Sequence, residues 1–289
     1  MSEQARVVDV AFSRYDGPRG GRGEAIWSLA HWSALRALGA RRGWKAKLIP
    51  IALTLLAFAP ALVILGLRAL LGTSSLTNQV SRALPIGDYE TAIAIVILVF
   101  SVVVTPELVC PDRRDRTLSL YFSTAVSRAD YVVGKALGAL LPMLLVTIAP
   151  PLLLWTGDLL FAHHPLGYFQ QHSGDVPKVI AAGLLIAGFY GLTGLAISSL
   201  TGRRAFAIGG YLAFLIVPTI IGGILAHALN ERFLRLLAFA AVPLQASRGL
   251  FPGYTDRGNI GPWVWAATAV ELMVVAIAVL AIRYGRDEP

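Results

Sequence analysis

Six apolar stretches, each long enough to cross a bilayer as a helix, constrain this chain more than any other feature. They lie at about 48–67, 91–109, 131–155, 179–200, 205–229 and 263–282. A helix rises about 1.5 Å per residue, so about 20 apolar residues cover the hydrocarbon core. None of the six shows strand-type alternation, which argues against a membrane barrel. Composition agrees, because 56% of the 289 residues are hydrophobic and 15% charged, far more apolar than a soluble or disordered chain. Cys110 is the single cysteine, so no disulfide framework exists within the chain. The expected fold is an all-α membrane protein of six transmembrane helices.

The net charge of +8 fits either nucleic acid or a membrane surface, and its placement decides between them. With an even number of spans, both ends and alternate connections share one side. That side holds 18 of the 25 Lys and Arg residues: nine ahead of the first span, then Arg113, Arg114, Arg116, Arg128, Lys135, Arg203, Arg204, Arg283 and Arg286. By the positive-inside rule, both termini are expected in the cytoplasm of a multi-pass cell-membrane protein. Basic residues beside span ends are an orientation signal, and nucleic acid is not an expected partner.

Residues 1–23, with Asp16-Gly17-Pro18 and the Gly/Arg run after it, read as a flexible cytoplasmic tail ahead of a single transmembrane domain at 24–289. At 24–44, Ile26, Trp27, Ala30, Ala34, Ala37 and Leu38 share one helical side, opposite Glu24, Ser28, His31 and Arg42. That pattern, with its tryptophans and basic end, predicts an N-terminal interfacial helix. Between the fifth and sixth spans, 233–246 is apolar but too short to cross, and predicts a re-entrant or interfacial helix pair broken at Pro243. His163, His164 and His172 have no further ligand at metal-site spacing, so no metal is expected.

No Gly-x-x-x-x-Gly-Lys-Ser/Thr phosphate loop occurs. The chain is therefore not expected to be an enzyme or to bind a cofactor itself. The informative stretch joins the second and third spans. Glu107 closes one span, Asp112, Arg113, Arg114, Asp115 and Arg116 form a charged turn, and Thr117-Leu118 leads on to Tyr121 and Phe122. Leu118, Tyr121 and Phe122 are spaced i, i+3, i+4, one face of a short amphipathic helix suited to a partner's groove. Ser127-Arg128 to Asp130 supplies a cap and turn before Tyr131 and Gly134-Lys135 enter the third span. Glu107 is expected to pair with Arg113 or Arg114.

This pattern resembles the permease subunits of the ABC-2 family of ATP-binding-cassette transporters. Those subunits show the acidic residue, the charged turn, Thr-Leu, an Arg-containing turn and Tyr-x-x-Gly-Lys at corresponding places. Two positions depart: Arg116 stands where glycine is common, and Ala125 where proline is usual. The resemblance implies an exporter driven by separate ATPase subunits that hydrolyse ATP, with the loop around 116–123 as the coupling helix. It also implies a second permease copy or paralogue in the same bilayer.

Glu271 lies near the middle of the sixth span. A charge there costs roughly 2.5–3.5 kcal/mol, so such residues usually face a bundle interior or cavity. It is read either as a pathway contact or as a protonated, hydrogen-bonded carboxyl. The four-residue recurrences of Gly183, Ala187 and Gly191, of Gly194 with Ser198, and of Gly134 with Gly138 let helices approach closely, chiefly within one subunit. Two other functions compete with the permease reading: a membrane scaffold that does not transport, and an ion-gradient transporter working through Glu271.

Overall fold

Inside lipid the backbone must satisfy its own polar groups, so span-length apolar runs become helices. The computed structural model describes residues 21–40, 43–72, 74, 79–80, 84–117, 121, 127–162, 164–252, 254 and 260–286. Among these there is no strand, and six helical spans cross the length of the bundle. The expected fold class is what is found. The tail before residue 21 lies outside the described residues.

Helix α1 covers Arg22–Ala37 and α2, the first span, Trp44–Leu71. A 3-10 turn at Ile86–Asp88 and the short α3, Tyr89–Ala92, precede α4, Ala94–Arg114. The third span is a broken pair, α5 at Arg128–Thr147 and α6 at Ala149–Phe161. Pro150 and Pro151 remove two amide donors at the break, and the Thr147 hydroxyl donates across to the Gly183 carbonyl at 3.1 Å. After α7, Pro165–His172, come the spans α8, Asp175–Ser198, and α9, Arg204–Ala228. A 3-10 turn at Arg232–Leu237 and α10, Val242–Arg248, lead to α11, Pro262–Arg286. The two-part element before the last span is therefore present, but its break falls at 238–241. Pro243 starts α10 instead of ending a helix, because a missing amide costs nothing in a first turn.

Helices α4 and α8 form the core, each with 61% of its apolar window buried, against 17% for α9. The outer faces of α2, α9 and α11 carry the exposed Leu, Ile and Val residues that lipid or another chain must cover. Small residues set the approach distances. A Cβ on Gly183 would lie 2.3 Å from Ile148, and one on Gly194 2.6 Å from Thr105 Oγ1. These close contacts are internal to one chain, as the pattern predicts.

The connections sort onto two ends, as an even number of spans requires. At one end α1, the turn after α4, the α8–α9 connection and the end of α11 interlock: Glu107 pairs with Arg204, and Arg128 donates to the Gly285 carbonyl at 2.8 Å. At the other end Arg68 pairs with Asp158, Arg248 with Asp88 at 2.5 Å, and Lys178 with Asp175 at 3.1 Å. There the Tyr89 hydroxyl donates to the Ala57 carbonyl at 2.8 Å and fixes α3 to the first span. Its neighbour Glu90 is buried, and among the described residues neither carboxyl oxygen has a partner; burial pushes that carboxyl up to about 8.

Candidate functional site

The turn between the second and third spans is built by a defined helix stop. Helix α4 runs through Pro111 to Arg114, and Asp115 closes it. The Thr117 amide donates to the Asp112 carbonyl at 3.0 Å and the Arg116 amide to that of Arg113 at 3.4 Å. This double bond pattern needs a left-handed residue between helix and exit, and Arg116 takes it, with φ +54°. The conformation explains why glycine is common here in the resembling family, since only glycine enters it without a Cβ penalty. Arg114, Asp115 and Arg116 project into solvent. The Tyr121 amide donates to the Thr117 carbonyl at 3.2 Å. Leu118 and Phe122 lie outside the described residues.

Directly behind the exposed turn sits a buried charge node. The Asp112 carboxylate accepts from Arg36 of α1 at 2.8 Å, from Lys135 of α5 at 2.6 Å and from the Tyr131 hydroxyl at 3.0 Å. Lys135 also donates to Ser33 of α1 at 3.1 Å. Tyr131 and Lys135 are one helical turn apart, which aims both at one partner. The rings of Tyr121 and Tyr284 pack on Tyr131 at 5.5 and 5.2 Å and screen the node from water. Burial pushes the Tyr121 phenol up. In so dry a place a charge pair holds only with every partner present, and removing one partner costs about 3–5 kcal/mol.

Glycines bring α1 onto this node. A Cβ at Gly134 would lie 2.7 Å from Leu29 Cδ2, and one at Gly138 3.0 Å from Ser33 Cβ. The Tyr-x-x-Gly-Lys run thus divides its labour: Tyr131 and Lys135 hold Asp112, and Gly134 admits α1. The apolar side of α1 buries Ala30, Ala34 and Ala37 against the bundle, while Trp27 and Trp32 stay exposed. Below, Ser127 and Asp130 form a reciprocal capping box at 3.2 and 3.1 Å, and Arg22 reaches Asp130 at 2.7 Å. The cap expected from the sequence is therefore present, with α1 added to it.

One partner of Glu107 comes from outside the motif: it pairs with Arg204, while its charge also acts on Arg114. About two helical turns from its end, α4 turns Glu107 toward the α8–α9 connection, where Arg113 donates to the Ser199 carbonyl. Arg114 pairs with its neighbour Asp115 at 2.9 Å, and that hydrogen bond holds the Asp115 carboxyl below the usual range. The structure brings Asp112, Arg113, Thr117, Tyr121 and Arg128 around one end of the bundle. Glu271 stands apart, exposed on α11 beside Val270, Val274 and Val275. The sequence argument missed Arg36, Ser33 and Arg204, which lie far from the motif in the chain. No cluster of potential metal ligands occurs among the described residues.

Six apolar spans and a charged connection locked at one end define a polytopic membrane protein of the permease class. The model of the ABC-2 family transporter protein matches residues 40–288, and the chain belongs to that family. The match begins just after α1. No curated protein matches the chain.

Proposed function

We propose that this chain is the membrane-spanning permease subunit of an ATP-driven exporter, powered by a separate ATPase that docks on the turn after α4. The reading rests on family membership and on one observation above all. The exposed residues Arg114 to Arg116 stand within four positions of Asp112, which is bonded to α1 and to the third span at once. A push on that turn reaches two other elements through short ion pairs, the one to Lys135 fully buried. Interiors so packed shift between discrete arrangements rather than deform continuously. ATP is thus used by the partner, and this chain carries the substrate path, with a second permease completing it.

The same reading places α1, the turn and both termini in the cytoplasm, in line with the distribution of Lys and Arg. The Glu271 carboxyl on the outward face of α11 fits a contact covered by the second permease, since bare lipid is costly for it. The deciding experiment captures an ATP-binding protein with the full chain from its native membrane. Capture that survives Arg114→Glu with Arg116→Glu overturns the docking assignment. Failure to capture any ATP-binding protein favours a scaffold.

A further inference from the structure

We propose that the cavity between α1 and the turn after α4 binds the headgroup of an anionic phospholipid of the cytoplasmic leaflet. It measures about 390 Å³ and is walled by Leu29, Trp32, Ser33, Leu35, Arg36 and Tyr121. The inference goes beyond the permease reading and takes from it only which end faces the cytoplasm.

Charge is the first argument. Arg36 is the charged residue of the wall, and it shares its carboxylate partner, Asp112, with the buried Lys135. Arg36 spends Nη2 on Asp112 and the Leu108 carbonyl. Its Nε is buried and has no acceptor among the described residues. The Arg36 side chain lines the cavity, and a guanidinium matches phosphate geometry well.

Shape and level are the second. Leu29, Trp32 and Leu35 give the cavity an apolar side that free phosphate does not need and an acyl chain does. Its remaining wall, Ala40, belongs to the turn that packs on the start of α2, where a Cβ at Gly39 would lie 2.8 Å from the Ala46 carbonyl. Beyond Ala46, Leu48 and Ile49 are half exposed where the first span begins. The exposed Trp27, Trp32 and Trp44 mark the same boundary. The opening therefore meets the bilayer at headgroup depth, on the leaflet rich in anionic lipid.

The test uses the full chain alone, placed in nanodiscs of phosphatidylcholine with phosphatidylglycerol, then extracted gently and weighed by native mass spectrometry. The wild type is expected to retain phosphatidylglycerol over phosphatidylcholine. Leu35→Glu places a carboxylate in the wall without touching the Asp112 bonds and should cut retention at least about tenfold, the factor for one charge-assisted hydrogen bond. Arg36→Gln, a second variant with a different defect, should lose retention equally, while Trp27→Ala, outside the cavity, should keep it. Equal retention of both lipids, or full retention by Leu35→Glu, overturns the proposal. Full retention with loss of ATPase capture assigns the cavity to an acidic partner element instead. Because no ATPase enters the lipid measurement, failure of the permease reading and failure of lipid binding are separately visible.

Discussion

Lys135 and Asp112 meet at 2.6 Å, each with only 1% of its side chain exposed, and that contact ties the third span to the second just behind the exposed turn. Asp112 is a charge-turn residue by sequence yet a core residue by position. Its three donors come from two helices, α1 and α5, so the node exists only when both are seated. A connection expected to dock a partner thus has a rigid back. That rigidity is what would let it transmit motion.

Lys135→Met should destabilise the chain by about 3–5 kcal/mol, the cost of orphaning one member of a buried pair. Adding Asp112→Leu and Arg36→Met should recover most of the loss, because no member of the node is then left without its partner. Thermal melting in detergent checks both, and a triple variant no better than the single would show that packing rather than charge is at stake.

Arg116→Gly should leave the fold intact and raise stability by up to about 1–2 kcal/mol, the penalty an L-residue pays in the left-handed region. Arg116→Val should do the reverse, since a β-branched side chain tolerates φ +54° worst. Equal melting temperatures for the three chains would contradict the conformation assigned to the turn.

At the opposite end, Glu90 predicts a pH dependence. Burial is the main cause of its raised value of about 8 against an ordinary 4.5, and the anion Asp88 adds to it. The folded chain therefore binds more protons here than the unfolded chain between those values. Stability should be fully supported below about 4.5 and fall as pH rises toward 8, by the sign of proton linkage. Among the described residues, the cations at this end serve other carboxylates: Arg248 serves Asp88, Arg68 serves Asp158 and Lys178 serves Asp175. Glu90→Gln should flatten the slope in a series of melts from about pH 4 to about 9, a range that brackets both values. An unchanged slope would place the titration elsewhere.

The six spans were legible because lipid imposes a length and a composition that few other structures satisfy. The Ser127 cap was legible because capping is local. Pro243 misled because a proline both breaks a helix and opens one, and only its position in the turn tells which. The turn motif announced its residue types but not their tasks. Tyr131, Gly134 and Lys135 stood out, whereas their partners Asp112, Leu29 and Ser33 lie on other elements, brought close by packing that no local period encodes. Glu107 shows the same limit: its ion-pair partner Arg204 is almost a hundred residues on in the chain.

The seat of α1 gives the sharpest mechanical prediction. A Cβ at Gly134 would stand 2.7 Å from Leu29 Cδ2 and 3.0 Å from Leu29 Cγ. Alanine meets only the flexible end of a half-buried leucine, which can turn aside, so Gly134→Ala should cost little. Valine adds two methyl groups against the same helix, and Gly134→Val should cost about 1–3 kcal/mol, as overpacking usually does. More specifically, it should lift α1 and stretch the Lys135–Ser33 and Arg36–Asp112 bonds together. Amides of α1 should then exchange hydrogen faster than in the wild type, while those of α8 in the core stay protected. ATPase capture should survive, because the exposed turn is intact, yet nucleotide-driven transport should fall because its backing has loosened. Unchanged exchange in α1 would show that the helix is held by contacts other than the glycine face.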